Sequence, residues 1–263
     1  MTTSPLPQRQ IEMWSEGTAL ERVERFPQLR YMGSKHRLLP WIHEVLDELP
    51  FDSALDAFSG SGCVSYLLKA MGKRVVANDF LELSHQIARA TVENGEHRLT
   101  EEEIELLGEP RPGHRDFIER TFSGIFFTPE DLRFLDTVWS NLSRLSSRHK
   151  RALAIAAMIR SCVKRQPRGV FTVAGDPEKY KDGRRDLRLS LRQHFAESAA
   201  AYNATVFDSG RDHRALRSDV FELGGSDLDP DLEGDLDVGP ITKRAALRDS
   251  GAKSSPATLS EEG

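Results

Sequence analysis

Residues 53–68 constrain this chain more than any other stretch. The run Ser53-Ala54-Leu55-Asp56-Ala57-Phe58 breaks at Ser59-Gly60-Ser61-Gly62, then resumes at helical spacing with Val64, Leu67 and Leu68 on one face. Strand, tight glycine turn, helix is how an α/β sheet presents backbone N–H groups and a helix N-terminus to a ligand. The third glycine of a G-x-G-x-x-G fingerprint would fall at Ser65, so the dinucleotide pattern is incomplete. Such a turn suits a nucleoside ligand without a pyrophosphate; a glycine turn of purely structural meaning is the other reading.

The surrounding pattern supports an α/β fold. Residues 36–49 carry Leu38, Leu39, Ile42, Val45, Leu46 and Leu49 at helical spacing, with Pro40 in the first turn, where its missing N–H costs little. Residues 73–78 predict a second strand ending before Asp79, and 83–94 another helix. This β-α-β-α order argues for a parallel, doubly wound sheet. From Thr100, whose Thr-x-x-Glu103 pattern is a capping box, the chain reads as mainly helical to about residue 203. Helices are expected from Thr128-Pro129 through 145, over 148–163 and over 186–202, with a brief extended piece at 170–173. The sheet is expected to resume at 204–207 and 216–223. The domain reading is therefore a peripheral arm over 1–26, a cofactor-binding α/β part over 27–99, a helical insertion over 100–203 and a return to the sheet over 204–223. Residues 224–263, rich in Gly, Asp, Ser, Ala and Pro and without a long aliphatic run, have the composition of a disordered tail.

Charge is unevenly distributed. The formal net charge is −5, yet residues 141–200 hold 14 Lys and Arg against 5 Asp and Glu. A basic block inside an acidic protein is an electrostatic footprint for a polyanion, or else a solvated helix face. No apolar run is long enough to span a bilayer and the N-terminus lacks a signal-peptide core, so a cytoplasmic protein without membrane contact is expected. Cys63 and Cys162 fall on predicted helices and make no metal-ligand spacing, which fits packing roles in a reducing compartment. The histidines do not fall at metal spacings either, so no metal site is expected.

Asp79 stands at the end of the second predicted strand, 23 residues after Asp56. An acid there can accept both ribose hydroxyls of a nucleoside held over the glycine turn, as in S-adenosylmethionine, or cap the next helix. Tyr31-Met32-Gly33-Ser34-Lys35, Asp56-Ala57-Phe58-Ser59-Gly60-Ser61-Gly62, Asn78-Asp79 and Ser218-Asp219-Val220-Phe221 occur in this order, with Phe122-Ser123-Gly124-Ile125-Phe126-Phe127-Thr128 between them. In that order they resemble the landmarks of Dam-type adenine-N6 DNA methyltransferases over roughly residues 27–223. The resemblance implies a Rossmann-like, S-adenosylmethionine-dependent methyltransferase sheet with an inserted, mainly helical target-recognition subdomain. It implies that Tyr31 and Lys35 sit at the methionine end of the cofactor, Lys35 near its carboxylate. The backbone from Phe58 through Gly60 to Gly62 would lie under the methionine moiety, next to Asp56. Asp79 would take the ribose, Phe80 would cover the adenine, and Asp219 with the Val220 backbone would meet the adenine edge. Taken singly, Lys35 could be a surface lysine, Phe80 a core aromatic and Asp219 a turn acid.

The implied partner is double-stranded DNA, with Lys164, Arg165, Arg168, Arg184 and Arg185 as phosphate contacts and Gln166 chemically able to pair with adenine. The family's Asp/Asn-Pro-Pro-Tyr, which holds the target adenine, is absent after Asp219. At its expected place stands Gly234-Asp235-Leu236-Asp237-Val238-Gly239-Pro240, and no aromatic residue follows Phe221. The catalytic residues are thus unassigned, the sheet is expected to be incomplete at its C-terminal end, and the chain is expected to be inactive alone. A separate C-terminal chain could complement it, though the sequence itself shows none. A non-catalytic DNA-binding remnant or subunit is the alternative reading, followed by a methyltransferase acting on RNA or a small molecule; a dehydrogenase is disfavoured by the incomplete glycine fingerprint.

Overall fold

The computed structural model describes residues 18–166 and 183–224. The extended piece at 170–173, Arg168 and the 224–263 tail beyond Gly224 lie outside these residues, as does most of the N-terminal arm. Among the described residues, those up to Val220 belong to one compact unit and those from Phe221 on to another. Of the latter, only 221–224 are described, at the end of a 3-10 turn, Val220–Glu222.

Three parallel strands, β1 (Ser53–Asp56), β2 (Arg74–Asn78) and β3 (Arg214–Leu216), form a sheet in the order β1-β2-β3. Leu55 is in register with Val76, and Val76 with Arg214. Helix α1 spans Ala19–Glu24, and a 3-10 turn, His36–Leu38, leads into α2, Leu39–Asp47. Helix α3 (Cys63–Ala70) follows the glycine turn, and α4 (Glu82–Ala88) follows β2 and runs into a π-helical turn, Arg89–Glu93. Pro40 sits in the first turn of α2, as its spacing predicts.

The helical stretch comprises α5 (Glu101–Leu107), α6 (Phe117–Phe122), α7 (Pro129–Asn141), α8 (Arg148–Lys164), α9 (Arg185–Arg188) and α10 (Leu191–Asn203). Thr100 caps α5 with both bonds of the capping box, and Thr128 caps α7 through the Asp131 N–H. These helices are not packed apart from the sheet. One apolar cluster runs from Val23 and Phe26 through Tyr66, Leu67 and Ile87 to Leu132, Leu153 and Phe195. A second, smaller cluster of Leu68, Val75, Ala77, Ala88, Val92 and Ala215 lies between the sheet, α3 and α4.

Four expectations are corrected. The N-terminal arm is not peripheral to its end, because Val23 and Phe26 are 4% and 3% exposed in the main core. Residues 204–207 are not a strand. Their N–H groups finish α10, Ala204 donating to the Ala200 carbonyl at 3.1 Å and Thr205 to Tyr202 at 3.0 Å. The returning strand starts earlier than residue 216 and is short, because the chain turns into the 3-10 turn after Asp219. The helix expected over 186–202 is broken at Ser190, which opens α10 with its own capping box to Gln193.

Candidate functional site

The glycine turn is built by backbone geometry that side chains oppose. Gly60 and Gly62 have φ of +51° and +76°, and a Cβ on Gly62 would meet Ile87 Cγ2 at 3.1 Å. The Ser59 N–H donates to the Asn78 carbonyl at 2.9 Å and the Gly62 N–H to the Ser59 carbonyl at 2.8 Å, so the turn is stitched to the end of β2. The serine standing where a third glycine would fall also has a task. Ser65 Oγ donates to Asp56 Oδ2 at 2.6 Å, while burial pushes the Asp56 carboxyl upward.

Asp79 is 8% exposed and closes the turn from the other side. Its Oδ2 accepts from the Gly60 N–H at 2.8 Å and its Oδ1 from the Leu81 N–H at 2.9 Å. A carboxylate has about four lone-pair positions, so these two bonds leave capacity for further donors. Tyr31 lies on the turn as well, with its Cε1 3.3 Å from the position of a Cβ on Gly60. Ser34 Oγ and Ser61 Oγ share a hydrogen bond of 3.2 Å, joining the segment 31–35 to the glycine turn. Lys35 is exposed and its Nζ donates to the Gly33 carbonyl at 3.2 Å.

Asn78 went unassigned in the sequence, yet it joins three segments. It is 1% exposed; its Nδ2 donates to the carbonyls of Ala57 at 3.2 Å and Ser218 at 3.1 Å. Its Oδ1 accepts from the Ser218 N–H at 3.1 Å. The side-chain amide thus extends the β2–β3 pairing past Leu216 and fixes where Asp219 begins. A cleft of about 110 Å³ results, lined by Ala57, Phe58, Asn78, Phe80, Ser218, Asp219 and Val220. Phe58 and Phe80 are 75% and 69% exposed. Two accessible rings and an acid on one cleft are a stacking and hydrogen-bonding set for a flat, amine-bearing heterocycle. Ser59 Oγ and His36 Nε2 are buried without a hydrogen-bond partner.

The basic residues are placed differently. Arg165 turns inward: its Nε pairs with Asp131 Oδ2 at 3.0 Å and its Nη1 donates to the Leu187 carbonyl at 2.8 Å, with side chains 14% and 5% exposed. Gln166 is 2% exposed and donates to the Phe126 carbonyl at 3.3 Å, so it cannot meet a base edge in this arrangement. Lys164 lies 3.9 Å from Glu197 Oε2, and Arg185 pairs with both oxygens of the same Glu197. Arg184 is the N-cap of α9. No described helix is long and apolar enough to cross a membrane.

Residues 31–164 match the family model described as D12 class N6 adenine-specific DNA methyltransferase. The chain is 34% identical over 212 residues to a Type II methyltransferase, M2.HphI, of Haemophilus parahaemolyticus, a match covering 76% of this chain and 62% of that protein. It is also 29% identical over 141 residues to the Type II methyltransferase M.FokI of Planomicrobium okeanokoites, covering 44% of this chain and 21% of that one. The chain therefore spans less than two thirds of the length of the curated relatives it matches. No solved structure matches it. Four sequence segments gathered round one glycine turn and a family match across three of them carry the same assignment: the chain belongs to the D12 class of N6 adenine-specific DNA methyltransferases.

Proposed function

We propose that this chain is the cofactor-binding and DNA-binding part of a site-specific DNA methyltransferase that moves a methyl group from S-adenosylmethionine to adenine N6. The observation that carries the reading is the convergence of Phe58, Phe80, Asp219 and Val220 on one cleft beside the Gly60–Asp79 hydrogen bond. The site fits the cofactor on its own terms. The turn accepts no Cβ at Gly62 without displacing Ile87, and Ser59 Oγ beside it is buried with an unused hydrogen-bonding capacity. Bound there, the cofactor supplies a sulfonium methyl group.

The chain's own residues do the holding. Tyr31, Lys35 and the backbone around Phe58, Gly60 and Gly62 take the methionine end, with Asp56 bracing the turn through Ser65. Asp79 takes the ribose with its remaining lone pairs. Phe80 stacks on the adenine, and Asp219 with Val220 reads its edge. DNA phosphates fall to Lys164, Arg168, Arg184 and Arg185 on the helical, target-recognition side, while Arg165 fixes α8 against α7. The chain contains no Asp/Asn-Pro-Pro-Tyr. It is therefore proposed not to transfer methyl groups alone.

Two assays test this. Purified chain should retard adenine-containing duplex DNA, and Arg184→Ala with Arg185→Ala should lower the slope of log K against log salt by about 2, at roughly 0.9 per phosphate contact. Incubation with labelled S-adenosylmethionine and the same DNA should leave the DNA unlabelled. Robust labelling by the chain alone refutes the proposed inactivity, and salt-independent or absent DNA binding refutes the DNA role.

A further inference from the structure

Three cations converge on one cavity away from the cofactor cleft. Arg30, Arg160 and Lys164 line a space of about 130 Å³ in which Asp186 is the one acid. Like charges gathered in a partly buried place raise the free energy unless an anion joins them. The nearby acids supply little of that compensation. Arg30 Nη2 stands 3.9 Å from Asp186 Oδ2 and Lys164 Nζ 3.9 Å from Glu197 Oε2, both beyond hydrogen-bond length. Glu197 is already held by Arg185 through both of its oxygens. Arg160 donates to neutral groups, the Gln28 carbonyl at 3.4 Å and Ser198 Oγ at 3.3 Å. Three cations against one acid leave the lining with two positive charges in surplus. Burial, and then the charge of Arg160, hold the Lys164 ammonium below its ordinary pKa.

The local chain explains why these residues meet. Arg160 and Lys164 are four residues apart on α8, so their side chains rise from one face of the helix. Arg30 comes from the segment that precedes Tyr31. The Tyr31 N–H donates to the Leu29 carbonyl at 2.8 Å, which makes a three-residue turn with Arg30 at its tip. Leu29 is buried in the core, and the Gln28 carbonyl is tied to Arg160. The turn sends Tyr31 to Gly60 and Arg30 toward Asp186 of α9.

We propose that Arg30, Arg160 and Lys164 form a seat for one backbone phosphodiester of DNA, which registers the strand against the methionine end of the cofactor pocket. This rests on the proposed DNA role and adds to it Arg30 and Arg160, which the sequence left unassigned. The cavity is well under the about 300 Å³ at which pockets for drug-sized ligands begin, so it suits a phosphate group and not a nucleoside. Guanidinium forks match the two non-bridging oxygens, with the lysine as a point charge. The Arg30 side chain is 50% exposed, so the mouth is open and the ester oxygens of a longer chain run on past it. Free inorganic phosphate shares this chemistry, and the test separates the two sources.

The test uses the full chain and an adenine-containing duplex, with affinity followed across a salt series. Arg30→Gln with Lys164→Gln should weaken binding about tenfold, and lysine in place of Arg30 should recover part of the loss. The triple variant, with Arg160→Gln added, should lower the slope of log K against log salt by about 1, because one phosphate contact is lost; three separate contacts would lower it by nearly 3. Arg30→Gln should unfold at or above the parental urea midpoint, since it relieves repulsion, so its loss of binding is not a loss of fold. The second arm is inorganic phosphate alone at constant ionic strength. Phosphate binding that the double variant loses, with its DNA affinity still parental, assigns the seat to the free anion and overturns the proposal. A slope loss near 3 in the triple variant also overturns it, and the double variant decides the matter should the triple not fold. Failure of the DNA role is a different result. A parent chain that retards no duplex sinks that role and the seat with it, whereas retardation that the double variant fully retains sinks the seat alone.

Discussion

Replacing Asn78 with alanine should damage stability and cofactor affinity together, because one buried amide holds the glycine turn and the Ser218–Asp219 corner in place. The side chain makes three hydrogen bonds, at 3.2, 3.1 and 3.1 Å. Each is worth about 1 kcal/mol net, and partial access of water to the stranded Ala57 and Ser218 groups trims the total to about 2–3 kcal/mol. With a urea m-value of about 2–3 kcal/mol/M, the unfolding midpoint should fall by about 1 M. S-adenosylmethionine affinity should fall about tenfold, corresponding to about 1.4 kcal/mol of lost positioning. Asn78→Asp controls for the cavity. It keeps the shape and the acceptor for the Ser218 N–H, but sets a carboxylate against two carbonyls and beside Asp79. At neutral pH it should be at least as harmful as alanine. A midpoint shift under about 0.3 M with unchanged cofactor affinity in both variants would refute the reasoning.

Three further outcomes follow from the same structure. Gly62→Ala should cost about 1–2 kcal/mol in chemical denaturation, from its φ of +76° and the 3.1 Å approach to Ile87; a neutral result would mean that the turn is not rigid. Arg165→Ala should destabilise by about 3 kcal/mol or more, because it strands the buried Asp131 carboxylate. By contrast Arg185→Ala, at the surface, should leave stability close to that of the parent, and equal losses in the two would contradict the placement. His213 accepts the Val75 N–H on Nδ1 at 3.2 Å, and burial holds its pKa down to about 4. Between about pH 6.5 and 4 the unfolded chain binds a proton that the folded chain refuses. Stability from this group is therefore full above pH 6.5 and lost as pH falls toward 4, by up to about 3 kcal/mol. Denaturation at pH 4.5 and 7 should show this acid loss in the parent and a smaller one in His213→Gln; the same loss in both would rule out His213 as its source.

What the sequence disclosed, and what it hid, divides by range. Caps made within one turn are legible, as at Thr100 and Thr128, where the side chain meets an N–H three residues on. Helix α6 has no such cap. Its first N–H groups are taken by Asp136, with Ile118 donating at 2.9 Å and Glu119 at 2.8 Å from 18 and 17 residues away. The apolar run at 204–207 resembles a strand because Val206 and Phe207 are buried or half-buried, but their chain neighbours serve the end of α10. Likewise the cleft's rings and acid stand in ordered motifs, whereas the Asn78 amide and the Ser34–Ser61 contact depend on tertiary placement. The basic block is visible as a sum of charges. Its pairing is not: Arg165 goes to Asp131, and Lys164 and Arg185 converge on Glu197. Lys69 shows the limit. It is fully buried and donates to the carbonyls of Thr91 and Asn94 at 3.1 and 2.8 Å, though nothing local distinguishes it from a surface lysine.

The central claim is that the glycine turn and the Asp79 carboxylate together form an S-adenosylmethionine pocket. Calorimetric titration of S-adenosylmethionine into the full chain, and into a folded Asp79→Ala variant, addresses it most directly. The account predicts one equivalent bound by the parent chain and affinity lower by about tenfold or more in the variant, each carboxylate-assisted hydrogen bond being worth about 1.5–3 kcal/mol. No heat of binding in the parent, or equal affinity in both, would contradict it.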